Sequence, residues 1–592
     1  MDVLSANATR RDAKQYLARF LPSKLKAKRE LNAAPTARLC RDQERLDKIG
    51  VNLGGLYAPS RAIANSAQFV RDEHLPQVEK TAAQQVMHVA LVCLRAPESL
   101  DDALIDGLAT TLSQLVKLDM RIIVVLELAS NSSGVTSLEY RAEYATQAER
   151  LRHAINKHSE QAACFVTSAL QALDDTPSEV EVFVPELIMG PLKRNMVPIL
   201  PPFAYTAIAQ LKQVDVGSVM LGLTRMVSSK AADVDTEPRN PSIKTLLDRI
   251  IVLDQAGGIP SRRRSDNAHI FINLAQEFDG IYNELSRYAA WDDTVSRPNM
   301  FDQHQANLKM LRECLEILPA ESSGLIISPQ EAATSSQATQ PQATTIGTGT
   351  RRQKNTLIHN LLTNKPMVSS SLPAARISSP PNPNSASSAA TATLVKRGMP
   401  VTILPTPHRT HAWQPPTNGI SDLDLQTHPG INFPRLVNLI EASFRRKLDV
   451  EHYMSRIRHR TAGVIIAGDY EGAAILTWEQ PPSPDGRLVP YLDKFAVAPS
   501  SQGSSGVADV LFQSLVRSCF PHGFCWRSRR DNPVNKWYFE RCAGSWSIPD
   551  TQWTLFWTGE EGVVEDVGGR WGDYVGVCER VGPSWGDGGR VG

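Results

Sequence analysis

From about Ser322 to Gly398 the sequence is dominated by Ser, Thr, Ala, Pro and Gln, as in SSSLPAARISSPPNPNSASSAATATL. Such a stretch cannot bury enough apolar surface to offset its ordering entropy, so residues 321–398 read as a disordered linker. It divides a chain of 592 residues, too long for one core, into two halves that must each build their own. Inside it, NTLIHNLLTNKP (Asn355–Pro366) is apolar enough to dock on a neighbour.

Before the linker, over 86–320, short apolar runs alternate with amphipathic stretches. MHVALVCL (Met87–Leu94) and Arg121–Leu128 read as strands. Asp101–Leu118 has helical spacing through Leu104, Ile105, Leu108, Leu112, Leu115 and Val116, and Tyr144–Lys157 is a second helix. Val180–Val184, Val197–Leu200 and Leu246–Asp254 continue the strands. This β-α-β alternation specifies an α/β fold with a parallel sheet covered by helices.

After the linker, over 399–559, the order is β-α-α-β-β-β-α-β-α-β. Met399–Leu404 is a strand, followed by helices at Phe433–Arg446 and Asp449–Ile457, with Asp449 as N-cap. Ala462–Ala467 and Ala473–Trp478 flank GDYEG as a hairpin. Then come the strand Tyr491–Val497, the helix Gly506–Ser518, the strand Phe524–Arg529, the helix Pro533–Arg541 and the strand Gln552–Trp557.

Both ends differ from these halves. Residues 1–85 begin with Ala13, Tyr16, Leu17, Phe20 and Leu21 at helical spacing among many Arg and Lys. That pattern fits a mitochondrial presequence or an amphipathic helix that is retained. Residues 560–592 are glycine-rich without a period and read as a disordered tail. The 63 basic and 62 acidic residues leave a net charge of +1, so no global field favours nucleic acid or a membrane surface. The eight cysteines are scattered without paired CxxC or HxxxH spacing, which indicates neither a disulfide framework nor a metal site.

Chemistry concentrates between Tyr491 and Trp557. In YLDKFAV, strict alternation places Leu492, Lys494 and Ala496 on one face and Asp493, Phe495 and Val497 on the other. Lys494 is then either a snorkelling surface lysine or a cation lining a pocket. Pro499 ends the ladder and lets this strand part from the next. The turn Gln502, Gly503, Ser504, Ser505, Gly506 opens a helix, where backbone N–H groups and the dipole can hold phosphate. Arg527 and Arg529 share a strand face, a costly arrangement unless carboxylates of protein or ligand meet them. Arg530 and Asp531 read as a solvated pair, and Asn532-Pro533 as N-cap and first helical residue. Tyr538 is either core or a hydroxyl aimed into the slot; Trp537 and Phe539 read as packing.

The words YLDKFAV, SQGSSGVAD, CWRSRRDNPVNKWYFER and QWTLFWT resemble the acetyltransferase domain of fungal-type mitochondrial N-acetylglutamate synthases, the amino-acid acetyltransferases. PRLVNLIEASFRRKLDVEHY, NTLIHNLLTNKP, VKRGMPVTILP, SLDDALIDGLATTLSQL and LKRNMVPILPP extend the likeness over most of the chain. The resemblance implies a C-terminal GNAT-type domain and an N-terminal domain like an amino-acid kinase. HVALVCLRAPESL lacks the Lys-x-Gly-Gly phosphate loop of an active kinase, so that domain is expected to be a degenerate regulatory and oligomerising one.

The implied reaction is acetyl transfer from acetyl-CoA to L-glutamate in the mitochondrial matrix, the first step of arginine biosynthesis. It brings expectations of feedback inhibition by arginine, a homo-oligomer, a complex with acetylglutamate kinase, and no metal. Lys494, Arg527, Arg529 and Asn532 would bind glutamate, with Tyr538 catalytic. Phe495, Val497 and the loop Gln502, Gly503, Ser504, Ser505, Gly506 would bind the cofactor. The loop departs from the usual Gln/Arg-x-x-Gly-x-Gly/Ala spacing by one residue. Two alternatives stand beside this reading: a non-catalytic arginine-sensing or scaffold subunit, and acetylation of protein or peptide amines.

Overall fold

The computed structural model describes residues 86–129, 137–158, 162–173, 179–232, 244–261, 267–291, 300–334, 355–369, 371–372, 392–407, 412–483, 487–502, 506–559, 570–582 and 584–585. The presequence-like segment 1–85 lies outside them.

The first half forms strands β1 (Val86–Arg95), β2 (Met120–Glu127), β3 (Ala163–Phe165), β4 (Leu170–Ala172), β5 (Val180–Val182), β6 (Val197–Leu200), β7 (Phe203–Tyr205), β8 (Leu211–Gln213), β9 (Lys244–Leu253), β10 (Phe271–Asn273), β11 (Ser323–Ile327) and β12 (Ala392–Lys396). Its helices are α1 (Asp102–Lys117), α2 (Ser137–His158), α3 (Glu186–Lys193), α4 (Val216–Ala232), α5 (Leu274–Trp291), α6 (Met300–Ile317), α7 (Pro329–Ala333) and α8 (Thr356–Thr363). An eight-stranded sheet runs β10-β12-β11-β9-β1-β2-β6-β3, and β5-β4-β7-β8 form a smaller one. All pairings in the large sheet are parallel except β11 with β12.

Burial explains this arrangement. β1 is buried along nearly its whole length, as expected of a central strand with helices on both faces. One core holds Val89, Leu91 and Cys93, and the other holds Ala90, Val92 and Leu94, so the same strand feeds both sides. Asp101 caps α1 by accepting from Leu104 N at 2.7 Å.

The linker expectation needs correction where 321–398 is described; residues 335–354, 370 and 373–391 lie outside the described residues. β11, α7, α8 and β12 all lie within 321–398 and belong to the first domain. α8 is capped by Asn355, which accepts from Ile358 N at 3.0 Å, and it buries Leu357, Ile358, Leu361 and Leu362 against the sheet. Short words such as SGLII and ATLVK vanish in a composition average, and their partners are distant in sequence. The step to the second domain is therefore only the short stretch after β12. There Asn273 Nδ2 donates to Met399 O at 2.9 Å. Gly398 has φ +72°, and a Cβ would lie 1.8 Å from Asn273 Oδ1, so glycine is required.

The second half has β13 (Val401–Leu404), α9 (Phe433–Phe444), α10 (Val450–Ile457), β14 (Thr461–Ala467), β15 (Gly472–Glu479), β16 (Val489–Val497), α11 (Val507–Ser514), β17 (Cys525–Arg529), α12 (Asn535–Arg541), β18 (Gly544–Ser547), β19 (Trp553–Trp557) and α13 (Arg570–Arg580). The sheet order is β13-β14-β15-β16-β17-β19-β18. α9 and α10 cover one face, while α11 and α12 cover the other. The expected helix Gly506–Ser518 is α11 continued by a π turn over Leu515–Cys519. β18 is an addition that GSWS does not announce.

The tail expectation is also corrected over 570–582, while residues 560–569, 583 and 586–592 lie outside the described residues. α13 lies within 560–592, and its Tyr574, Val577 and Cys578 are buried against Val489, Tyr491, Cys525 and Leu555. Gly576 sits so near Pro482 that a Cβ would come within 2.1 Å of its ring. At Gly576, at least, a glycine that suggested disorder serves close packing.

Candidate active site

β16 and β17 run parallel but pair only at Tyr491↔Cys525. Beyond that point they part, opening a slot well before the proline at position 499. The register between β15 and β16 also shifts, with Ile475 opposite Lys494 but Leu476 opposite Leu492, so Asp493 is an extra residue in the strand. The bulge breaks the expected alternation. Leu492 packs in the same core as Phe495 and Val497, whereas Ala496 belongs to the core under α9 and α10, and Lys494 Nζ stands 4.7 Å from the Tyr453 ring of that core. Leu492 is therefore opposite Lys494 and Ala496, contrary to strict alternation.

The bulge turns Asp493 into the counter-ion of a buried cluster. Its carboxylate, 1% exposed, accepts from Tyr453 Oη at 2.9 Å and from Lys494 Nζ at 2.8 Å, and it pairs with Arg456. Arg456 also reaches Glu479 Oε1 at 3.3 Å, and Glu479 meets Arg460 at 3.1 Å. Burial raises the Asp493 carboxyl, but Lys494 and Arg456 outweigh it and hold it well below the usual carboxylate range. The Lys494 amine is shifted downward, mainly by burial, with Arg456 and Arg527 adding to the effect. Arg527 thus acts electrostatically on Lys494 from the facing strand.

Arg527 lies over the Trp553 ring at 4.1 Å and donates through both terminal nitrogens to the carbonyls of Cys578 and Val581. Arg529, two residues on, is exposed and contacts Asp531 at 3.3 Å and Gln552 Oε1 at 3.0 Å. Asp531 therefore pairs with Arg529 rather than Arg530, whose guanidinium donates to Ile548 O at 2.5 Å. Asn532 is not the helix cap. It donates to Ser528 Oγ at 2.9 Å and accepts from Val534 N at 3.1 Å, a turn two residues long, and α12 starts at Asn535.

Tyr538 comes from the opposite face of the sheet. Its ring packs 5.5 Å from both Trp526 and Phe556, and burial pushes its phenol well up, so it stays protonated at neutral pH. Trp537 packs on Phe495 at 5.7 Å, and Phe539, though exposed, touches Phe556 at 5.1 Å. The Val497 backbone is already engaged: its N–H donates to Ser443 Oγ at 3.1 Å and its carbonyl accepts from Gln502 Nε2 at 3.0 Å. Gly506, at φ +74°, starts α11. Residues Gly503, Ser504 and Ser505 lie outside the described residues.

The slot therefore has two cations, Lys494 and Arg527, on one sheet face, and the Tyr538 hydroxyl and the N-terminus of α11 on the other. The gap between β16 and β17 joins the two faces. Sequence reasoning missed Asp493, Tyr453 and Arg456, although the adjacent Asp-Lys in YLDKFAV was a visible signal. Among the described residues, no group of His, Cys, Asp and Glu could hold a metal ion.

Residues 420–575 match the family NAT, N-acetyltransferase, of N-acetylglutamate synthase. The chain is 40% identical over 591 residues to a protein of Aspergillus oryzae named amino-acid acetyltransferase, mitochondrial, covering 94% of this chain and 85% of that one. It is 38% identical over 642 residues to the protein of the same name in Botryotinia fuckeliana, covering 95% and 85%. A solved structure of N-acetylglutamate synthase from Neisseria gonorrhoeae, complexed with coenzyme A and N-acetyl-glutamate, aligns at a TM-score of 0.42 and 12% identity, over 80% of this chain and 96% of that one.

Proposed function

The chain belongs to the mitochondrial amino-acid acetyltransferase family, and from that premise we propose that it transfers acetyl from acetyl-CoA to the α-amino group of L-glutamate. The observation that carries the reading is the parted pair β16 and β17, with Lys494 on one strand and Arg527 on the other. Two cations suit a small dicarboxylate, because each carboxylate needs a charge-assisted partner once water is excluded. Arg529, at the outer end of the same face, and Asn532 complete the carboxylate and amine contacts.

Acetyl-CoA would lie on the other side of the gap. The loop Gln502–Gly506 and the start of α11 hold its pyrophosphate, because the first N–H groups of a helix lack intrahelical partners and its dipole favours negative charge. Phe495 and Val497 border its pantetheine, and a main-chain N–H of that segment meets the thioester oxygen as charge develops. For the Val497 N–H to serve, its bond to Ser443 must open. The Tyr538 phenol, kept protonated by burial, suits protonation of the departing thiolate better than abstraction of a proton from the amine. The first domain is read as regulatory, with arginine as feedback inhibitor of this first step of arginine biosynthesis. The enzyme is read as a homo-oligomer of the mitochondrial matrix, with acetylglutamate kinase as a partner.

The test follows thiol release from acetyl-CoA with glutamate, aspartate and peptide amines in turn. Glutamate should be the preferred acceptor, and Arg527→Ala should raise its KM far more than that of acetyl-CoA. Preference for peptides, or no transfer to any amine, would overturn the reading. Equal effects on both KM values would remove Arg527 from the glutamate site.

A further inference from the structure

Both cations assigned above to the glutamate carboxylates meet the same distant segment, the C-terminal stretch from α13 to Trp585. On one side, Arg527 donates to the carbonyls of Cys578 and Val581, where α13 ends. The last carbonyls of a helix have no intrahelical partner and carry partial negative charge, so a guanidinium is well placed there. On the other side, the Trp585 ring centre lies 5.6 Å from Lys494 Nζ, within cation–π range. Arg446 lies over the same indole at 5.4 Å, and Phe444 packs on it at 5.0 Å.

Ser584 and Trp585 are pinned. Asp449 N donates to Ser584 O at 3.2 Å, and Leu448 and Trp585 form an antiparallel bridge. Ser584 is buried, and Trp585 is half-buried. Such a tie to the start of α10 sets the indole over Lys494 rather than leaving it free.

We propose that this C-terminal segment forms the outer wall of the amino-acid pocket, positioning Arg527 through helix-end carbonyls and roofing Lys494 with Trp585. Arg527 spends one N–H of each terminal nitrogen on the carbonyls. Its remaining donors stay directed by a fixed plane, as bidentate carboxylate recognition requires. The indole keeps bulk water from the Lys494 ammonium without taking its hydrogen-bonding protons, so a substrate carboxylate meets a partly desolvated charge. Trp585 is on this view a positioning residue, and the wall limits how long an acceptor the slot admits. The inference rests on the glutamate reading and names part of the same pocket.

The experiment compares full-length wild type, Trp585→Ala and Trp585→Phe, with KM for glutamate and for acetyl-CoA measured separately and melting recorded alongside. Trp585→Ala should raise the glutamate KM about tenfold, as loss of a partly desolvated cation–π contact implies, with acetyl-CoA KM within about twofold. Trp585→Phe should restore most of the glutamate affinity. A chain ending at Gly582, which keeps the Arg527 contacts, should behave as Trp585→Ala does. An unchanged glutamate KM in an active Trp585→Ala enzyme overturns the inference alone, as does an equal rise of both KM values together with lower melting. A wild-type chain that acetylates no glutamate instead overturns the functional reading on which it rests.

Discussion

Replacing Asp493 with Asn removes the one buried carboxylate shared by Lys494, Arg456 and Tyr453 while keeping its shape. The gross attraction in the Asp493–Lys494 contact, 2.8 Å long, is roughly 6 kcal/mol at an effective dielectric of about 20. Much of this is offset by the desolvation both ions incur in any case. The variant keeps that penalty for Lys494 and Arg456 but loses the compensation, which places the net cost at about 3–5 kcal/mol. For a domain of this size that is roughly 10 °C in Tm.

Urea unfolding followed by tryptophan fluorescence would measure it, with Asp493→Asn/Lys494→Met as a second variant. The double variant should recover part of the loss, because it removes an uncompensated cation. The acid limb gives an independent check. The Asp493 carboxyl is held below its ordinary value of 3.8, so its contribution is full above that value and fades as pH falls through the lower folded value. Wild type and Asp493→Asn should converge in stability in acid. A cost under about 1 kcal/mol at pH 7, or no convergence, would refute the reasoning.

Other perturbations probe separate parts of the molecule. In Gly472→Val the new Cβ would lie 2.5 Å from Val507 Cγ1 and 2.8 Å from Leu511 Cδ1, pushing α11 outward. It should cost about 1–3 kcal/mol and raise the acetyl-CoA KM more than the glutamate KM in steady-state assays. Arg541 joins Asp509 at 2.9 Å and Ser371 Oγ at 2.7 Å while lying over Trp537 at 4.1 Å. Arg541→Met should cost about 2–3 kcal/mol and speed hydrogen exchange in both α11 and α12.

His304 is fully buried in α6, and burial lowers its imidazole from 6.5 to about 4. The unfolded chain therefore takes up this proton first. Stability should fall by about 3 kcal/mol as pH drops from near 6.5 towards 4, and His304→Leu should flatten that limb of a pH-dependent melting series.

Local rules served best where the sequence states its own boundaries. Asp449 caps α10 as read, and the runs in β1 and β16 are visible as apolar words bounded by polar ones. The misread linker and tail share one cause, dependence on partners far along the chain. β12 is a strand because β10 and β11 flank it, and α13 is ordered because Tyr491 and Cys525 supply its other half.

The candidate site was legible to the extent that its proposed chemistry sits in single residues. Lys494, Arg527 and Tyr538 could be picked by type, but their faces depended on the bulge at Asp493, which an alternation rule has no means to see. The role of Asn532 went astray for a similar reason. Asn-Pro spells a cap equally well whether the helix begins at once or, as here, after a two-residue turn.

The placement of β12 carries a consequence for how the chain can be divided. That strand lies between β10 and β11 of the first sheet, yet covalently it belongs to whatever follows it. A cut within 335–391 would leave an N-terminal piece missing an interior strand and a C-terminal piece carrying that strand as its leading end. The two pieces would hold together by strand donation and need not drift apart. An acetyltransferase half excised at residue 399 would leave β12 in its sheet but uncover Phe271 and Leu394, which share a core with Val401 and Trp413 of the second domain. Fragments that complement each other are therefore made by cutting before β12 and expressing the two pieces together.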